Sequence, residues 1–215
     1  MAEFEERGYQ IGRWDAKGKI LDITDLDPSI GLYVPKRDKY AQKLALNYVK
    51  YNVETNAGEA RHTHWIDLDM ARLLCWDLAN NRKGDKKPGT ESFLPFYKEY
   101  KGSRAGDKTP FPVSPDHMLS RALTVTYAEV DGKGEKLRSG PVYQLAFVVC
   151  DGKEGDKGQV TPVQGGKTYL SEQINVPIIA ARRVGLTVVQ YLQAKLTIQL
   201  SRHTPFETTT DERPQ

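Results

Sequence analysis

The chain has 215 residues, of which 31 are basic and 28 acidic, giving a formal charge of +3; 39% are hydrophobic. That is enough apolar material for one large domain or two small ones. The net charge is too low for a global attraction to nucleic acid or an anionic membrane, so any such binding must come from local patches.

The N-terminal stretch MAEFEERGYQIGRW is charged and lacks the apolar core of a secretory signal. Residues 1–17 read as a flexible N-terminal segment. Lys19 to Ile23 and Ile30 to Val34 are short strand candidates, with turn chemistry at Asp25, Asp27, Pro28 and Ser29 between them. Pro35 ends the second, because it cannot donate to a ladder. Leu44 to Val53 is a stronger strand. Its apolar positions change face near Tyr48, which predicts a bulge or a strand covered on both sides.

A helix follows in WIDLDMARLLCWDLANN (65–81). Asp67 or Asp69 suits the N-cap. Ile66, Met70, Leu73, Leu74 and Leu78 form its expected apolar stripe. Asn80, Asn81 and Gly84 read as its stop. From Arg82 to Asp116 the chain is rich in Gly and Pro. Its first part, Arg82 to Lys108, carries eight basic and four acidic residues. A connector this long is uncommon in a compact domain and is usually functional or mobile, so it is a candidate contact for protein partners.

In the second half, RALTVTYAEV (121–130) and PVYQLAFVVC (141–150) alternate cleanly. Asp131-Gly132 between them and Asp151-Gly152 after them read as hairpin turns. Gln159 to Val163 and Tyr169 to Asn175 are further strands. The last helix starts near Pro177 with a stripe of Ala180, Ala181, Val184, Val188, Leu192 and Leu196. Gly185 within it costs about 1 kcal/mol relative to alanine, which a close helix–helix or helix–sheet approach would explain. Thr197 to Leu200 either extends the helix or begins a strand. Residues 201–215 read as a disordered tail. The fold class is therefore α+β: antiparallel sheets in two strand-rich halves, each followed by an amphipathic helix, within one domain over 18–200.

Cys75 and Cys150 lie in apolar runs outside any zinc-ligand spacing, so two buried thiols and a reducing compartment are expected. Val176 to Leu200 contains Arg182, Arg183, Gln190, Gln193 and Lys195, which excludes an ordinary transmembrane helix. The reading is a cytoplasmic protein with no membrane association. Gly165-Gly166-Lys167-Thr168 resembles the end of a phosphate loop, but Thr161 stands where the first glycine is needed, and strand follows instead of helix. No nucleophile elbow, catalytic residue or cofactor motif is found. His62-Thr63-His64 with Asp67 and Asp69 behind is the one enzyme-like cluster. Alternate strand residues share a face, so a metal-dependent hydrolase using His62 and His64 is an alternative, though the remaining ligands are missing and no metal site is assigned.

Basic residues interleaved with aromatics carry the main functional signal: Arg13 and Trp14; Lys43, Tyr48, Lys50 and Tyr51; Arg121 and Tyr127; Lys167 and Tyr169. Rings that stack on bases and cations that follow phosphates suit single-stranded nucleic acid, DNA favoured over RNA, with little sequence preference.

The stretches HWIDLDMARLLCWDL and INVPIIAARRVGLTVVQYL each follow a strand set. The order strands–helix–strands–helix over roughly 18–200 resembles the Whirly-like single-stranded nucleic-acid-binding fold. In that family two four-stranded sheets each lead into a helix, and the protein usually assembles as an oligomer. The resemblance, one of pattern, implies single-strand binding and a homo-oligomer. A non-catalytic subunit of a larger nucleoprotein complex is the other reading.

Overall fold

The computed structural model describes residues 9–25, 43–103, 118–155 and 160–203. The first half forms four strands, β1 (Tyr9–Ala16), β2 (Lys19–Asp25), β3 (Lys43–Tyr51) and β4 (Gly58–Asp67), and then helix α1 (Leu68–Ala79). The second forms β5 (Tyr97–Ser103), β6 (Met118–Ala128), β7 (Val142–Glu154), β8 (Val160–Pro162) and β9 (Thr168–Pro177), followed by helix α2 (Ile178–His203). The strands make two antiparallel sheets, ordered β1-β2-β3-β4 and β5-β6-β7-β8, with β9 also paired to β7. The α+β class with a helix after each strand set is what the sequence pattern predicts.

Each sheet has an inner face set by alternation. In the first it carries Leu21, Ile23, Leu44, Leu46, Tyr48, His62, His64 and Ile66, all buried. In the second it carries Leu123, Val125, Tyr127, Tyr143, Leu145, Phe147, Ile174 and Val176, also buried. These faces meet at Phe147, whose ring lies 5.5 Å from that of Tyr48 and 5.7 Å from that of His62. The helices cover the rest. They cross so closely at Gly185 that a Cβ there would lie 2.5 Å from the Cys75 carbonyl oxygen, which gives that glycine its packing reason. Both cysteines are buried free thiols, and burial pushes Cys75 up to about 12. A small apolar void, about 40 Å³, lies beneath the helices among Trp14, Leu74, Leu78 and Val184.

Several expectations need correction. The segment 1–17, read as flexible, contains β1. Trp14 on this strand packs against the core, and its indole Nε1 donates to the Asn175 carbonyl at 3.2 Å. Lys19 Nζ reaches the neighbouring Gln173 carbonyl at 2.6 Å. The β3 irregularity falls at Lys50/Tyr51, not near Tyr48. The connector 82–116 contains β5, whose alternation of Tyr97, Glu99 and Lys101 is diluted by flanking Gly and Pro. Asp151-Gly152 lies inside β7, not in a turn. Gly152 has no room for a side chain, because a Cβ would come within 2.6 Å of Val160. Asp151 is buried and accepts from the Lys167 amide (2.9 Å) and the Tyr169 hydroxyl (2.8 Å).

Helix α1 turns a different stripe inward than expected. Ala71, Leu74, Cys75 and Leu78 are buried, whereas Leu73 is 59% exposed and Met70 also faces outward. Asp67 holds the N-cap position with extended backbone but makes no side-chain cap; its carboxylate pairs with Lys101 instead, at 2.5 Å. Asn81, in the left-handed region at φ 56°, ends the helix. Pro177 is the last residue of β9, directly ahead of α2. Thr197 to Leu200 continues α2, which runs on through 201–203, the first residues of the segment read as a disordered tail. The Ile30 to Val34 strand and residues 204–215 of that tail lie outside the described residues.

Candidate nucleic-acid interface

Among the described residues, β4 pairs only with β3, and β9 pairs only with β7. Between these two strands lies a cleft of about 740 Å³. From β4 it receives Glu59, Arg61, Thr63 and Trp65; from β6, Arg121; and from β9, Tyr169, Ser171 and Glu172. Alternation explains the β4 set. His62, His64 and Ile66 turn inward, so Arg61, Thr63 and Trp65 turn out.

One end of the cleft is bridged by charge. Lys50 Nζ lies 3.2 Å from Glu172 Oε1 and 3.5 Å from Glu59 Oε2, so it connects the β4 wall to the β9 wall. Glu172 Oε2 accepts from the Tyr48 hydroxyl at 2.9 Å and lies 3.7 Å from Lys19. Burial alone would raise the Glu172 carboxyl, but these partners outweigh it and hold it below the usual carboxylate range. The same contacts raise Tyr48, through burial first and the Glu172 bond second.

The interleaved residues are thus divided. Lys50, Arg121 and Tyr169 reach the cleft or its bridged end, and Lys167 lies next to it with its ammonium 5.1 Å from the Tyr169 ring. Tyr48 and Tyr127 do not form a stacking surface. Tyr48 is fully buried, and Tyr127 is 4% exposed in a cluster with Phe93 and Tyr143. Trp14 is tied to β9 as described. Arg13 shares the outward face of the first sheet with Thr63 but stands on β1, at the far edge from β4, bound to Asp15 at 2.7 Å. Lys43 and Tyr51 are half-buried at the two ends of β3. Sequence reasoning missed Arg61 and Trp65. The signal is present in the alternation EARHTHWI, where inward histidines at 62 and 64 put Arg61 and Trp65 on the opposite face.

The chain matches no protein-family model and no curated protein. Function is therefore argued from the site alone.

His62 lines the inner wall of the cleft, but His64 does not join it there as a second metal ligand. His64 is sealed in the core with Nε2 3.0 Å from Glu99 Oε2. Burial, then the charges of His64 and Arg121, push His62 down to about 3, so its ring is neutral. Among the described residues no three His, Cys, Asp or Glu side chains are arranged to hold a metal ion. No helix among them is long and apolar enough to cross a membrane.

Proposed function

We propose that this protein binds single-stranded nucleic acid, DNA in preference to RNA, in the cleft between β4 and β9. The observation that carries this reading is the convergence of two arginines and two aromatics, Arg61, Arg121, Trp65 and Tyr169, on one cleft between sheet edges. Cations follow phosphates and rings stack on bases of any identity, so the same surface accepts many sequences. The Whirly-like order of strands and helices agrees with this reading.

The test is fluorescence anisotropy with single- and double-stranded DNA and RNA at two salt concentrations. Single strands should bind more tightly than duplexes, with affinity falling steeply as salt rises. No binding of single strands at low salt ends the proposal.

Assembly is a second part of this reading. The outward faces of the two helices expose Met70, Leu73 and Trp76 on α1 and Ile179 and Leu186 on α2. Five large apolar side chains on one helix pair mark a protein contact. Asp69 on α1 and Arg182 and Arg183 on α2, also exposed, give opposite charges that a second copy would match. Light-scattering mass of the wild type against Leu73→Asp tests it. A wild-type monomer at micromolar concentration rules it out.

A further inference from the structure

The cleft is not uniform, and its asymmetry limits how a strand can lie in it. Glu59 and Glu172 are held together at the Lys50 bridge, while Arg61 and Arg121 line the cleft without an ion pair to either of them. Two carboxylates facing a phosphate repel it, and Lys50 is already shared between them. A polyanion running straight through would therefore set its phosphates against like charge. The strand avoids this only if its phosphates follow the arginines and a base turns toward Glu172.

Glu172 has the capacity to meet such a base. A carboxylate accepts at about four lone-pair sites. Tyr48 and Lys50 take one each, at 2.9 and 3.2 Å, while Lys19 at 3.7 Å is beyond hydrogen-bond distance. The side chain is 18% exposed and lines the cleft. Its bonds to Tyr48 and Lys50 fix it in place, so accepting a further bond costs little side-chain entropy. A fixed, ionised carboxylate accepts from base amino groups, such as cytosine N4; unpaired thymine and uracil offer it only N3–H, flanked on both sides by carbonyl oxygens that repel the second carboxylate oxygen.

We infer that Glu172 selects the base in the cleft, favouring amino-bearing bases over thymine and uracil. This rests on the single-strand reading above. The expected preference is modest, because each base brings a donor and they differ in the repulsion around it, and it is superimposed on binding that is otherwise indifferent to sequence.

The experiment is anisotropy with labelled dC and dT homopolymers of equal length, at pH 7.5 and one salt concentration. Wild type should bind dC about fivefold more tightly than dT, the scale of one hydrogen bond. Glu172→Gln keeps an acceptor for Tyr48 and gains a donor for thymine carbonyls, so the ratio should fall to about one or reverse, again by loss of one bond. Glu59→Gln should strengthen both oligomers and leave the ratio unchanged. If wild type binds both homopolymers equally, the base selection fails while the single-strand reading stands. An undiminished ratio in folded Glu172→Gln also overturns it. If neither homopolymer binds, the single-strand reading fails and this inference with it.

Discussion

Lys195 Nζ lies 2.6 Å from Asp25 Oδ2, with both side chains sealed from solvent. The Tyr191 hydroxyl donates to the same oxygen at 2.7 Å. This contact pins α2 to the last residue of β2, across 170 positions of sequence. A buried pair of this kind is costly to break from one side, because the surviving charge stays buried with this counter-charge gone. Lys195→Met should lower unfolding free energy by about 3–5 kcal/mol. Urea denaturation followed by circular dichroism measures this. Adding Asp25→Leu to Lys195→Met should recover part of the loss, and a double variant less stable than the single one contradicts the argument.

Acid should weaken the fold earlier than its carboxylates alone would. His62 is neutral in the folded chain, with its pKa pushed from 6.5 down to about 3, whereas the unfolded chain takes up a proton near 6.5. Between those values the unfolded state binds more protons, so stability falls as pH falls. The slope approaches roughly 1.4 kcal/mol per pH unit well below 6.5. Glu99 and Glu172 are both held below 4.5, so their loss begins only as pH drops toward that value. The window from 6.5 to about 5 therefore belongs to His62. Denaturation midpoints across it should decline in wild type and flatten in His62→Gln. Parallel slopes in the two proteins would refute the assignment.

Gly185→Ala sets helix propensity against packing. Alanine favours an isolated helix by about 1 kcal/mol. Its Cβ, however, would sit 2.5 Å from the Cys75 carbonyl oxygen and 3.1 Å from the Ala79 nitrogen. Backbone cannot yield as a side-chain end does, so the clash should win, for a net loss of about 1–3 kcal/mol. Gly132→Ala, where a Cβ meets nothing within 4 Å, is the control. Thermal unfolding of the two variants compares them directly.

The cleft assignment separates residues that the sequence treats alike. Trp65→Ala should weaken single-strand binding by about 1–3 kcal/mol, the scale of one stacked base. Arg61→Ala should reduce the slope of log affinity against log salt by about 0.7, one phosphate contact on a single strand. Tyr127→Phe should change neither, because its ring is buried and its hydroxyl is bound to Glu129 at 2.6 Å. A Tyr127→Phe protein that binds as poorly as Trp65→Ala would place the interface elsewhere.

The sequence was most informative where periodicity and burial coincide. The alternation of Leu123, Val125 and Tyr127 and of Tyr143, Leu145 and Phe147 places β6 and β7, and the cost of Gly185 points to a close helix approach. Legibility fails where tertiary contact overrides local chemistry. Trp14 anchors a strand inside a polar segment. Asp151-Gly152 has turn composition yet sits in β7, because Val160 and Ser120 fill the space over Gly152 and because Asp151 has a buried hydroxyl and amide to receive. Lys195 looks like any exposed helix cation until Asp25 is placed beneath it. The site was half legible for the same reason. Tyrosines between cations look alike in sequence, and only the inward faces of the sheets separate buried Tyr48 from Tyr169 in the cleft.

The bonds from Trp14 to the Asn175 carbonyl and from Lys19 to the Gln173 carbonyl have a consequence for colloidal behaviour. These acceptors lie two residues apart, on the side of β9 where an incoming strand from another molecule would have to dock. Both are already taken, one by a bulky indole and one by a cation, the kind of group that blocks edge-to-edge growth of sheets. The residues that join the two sheets therefore also protect the protein against fibril formation at this position.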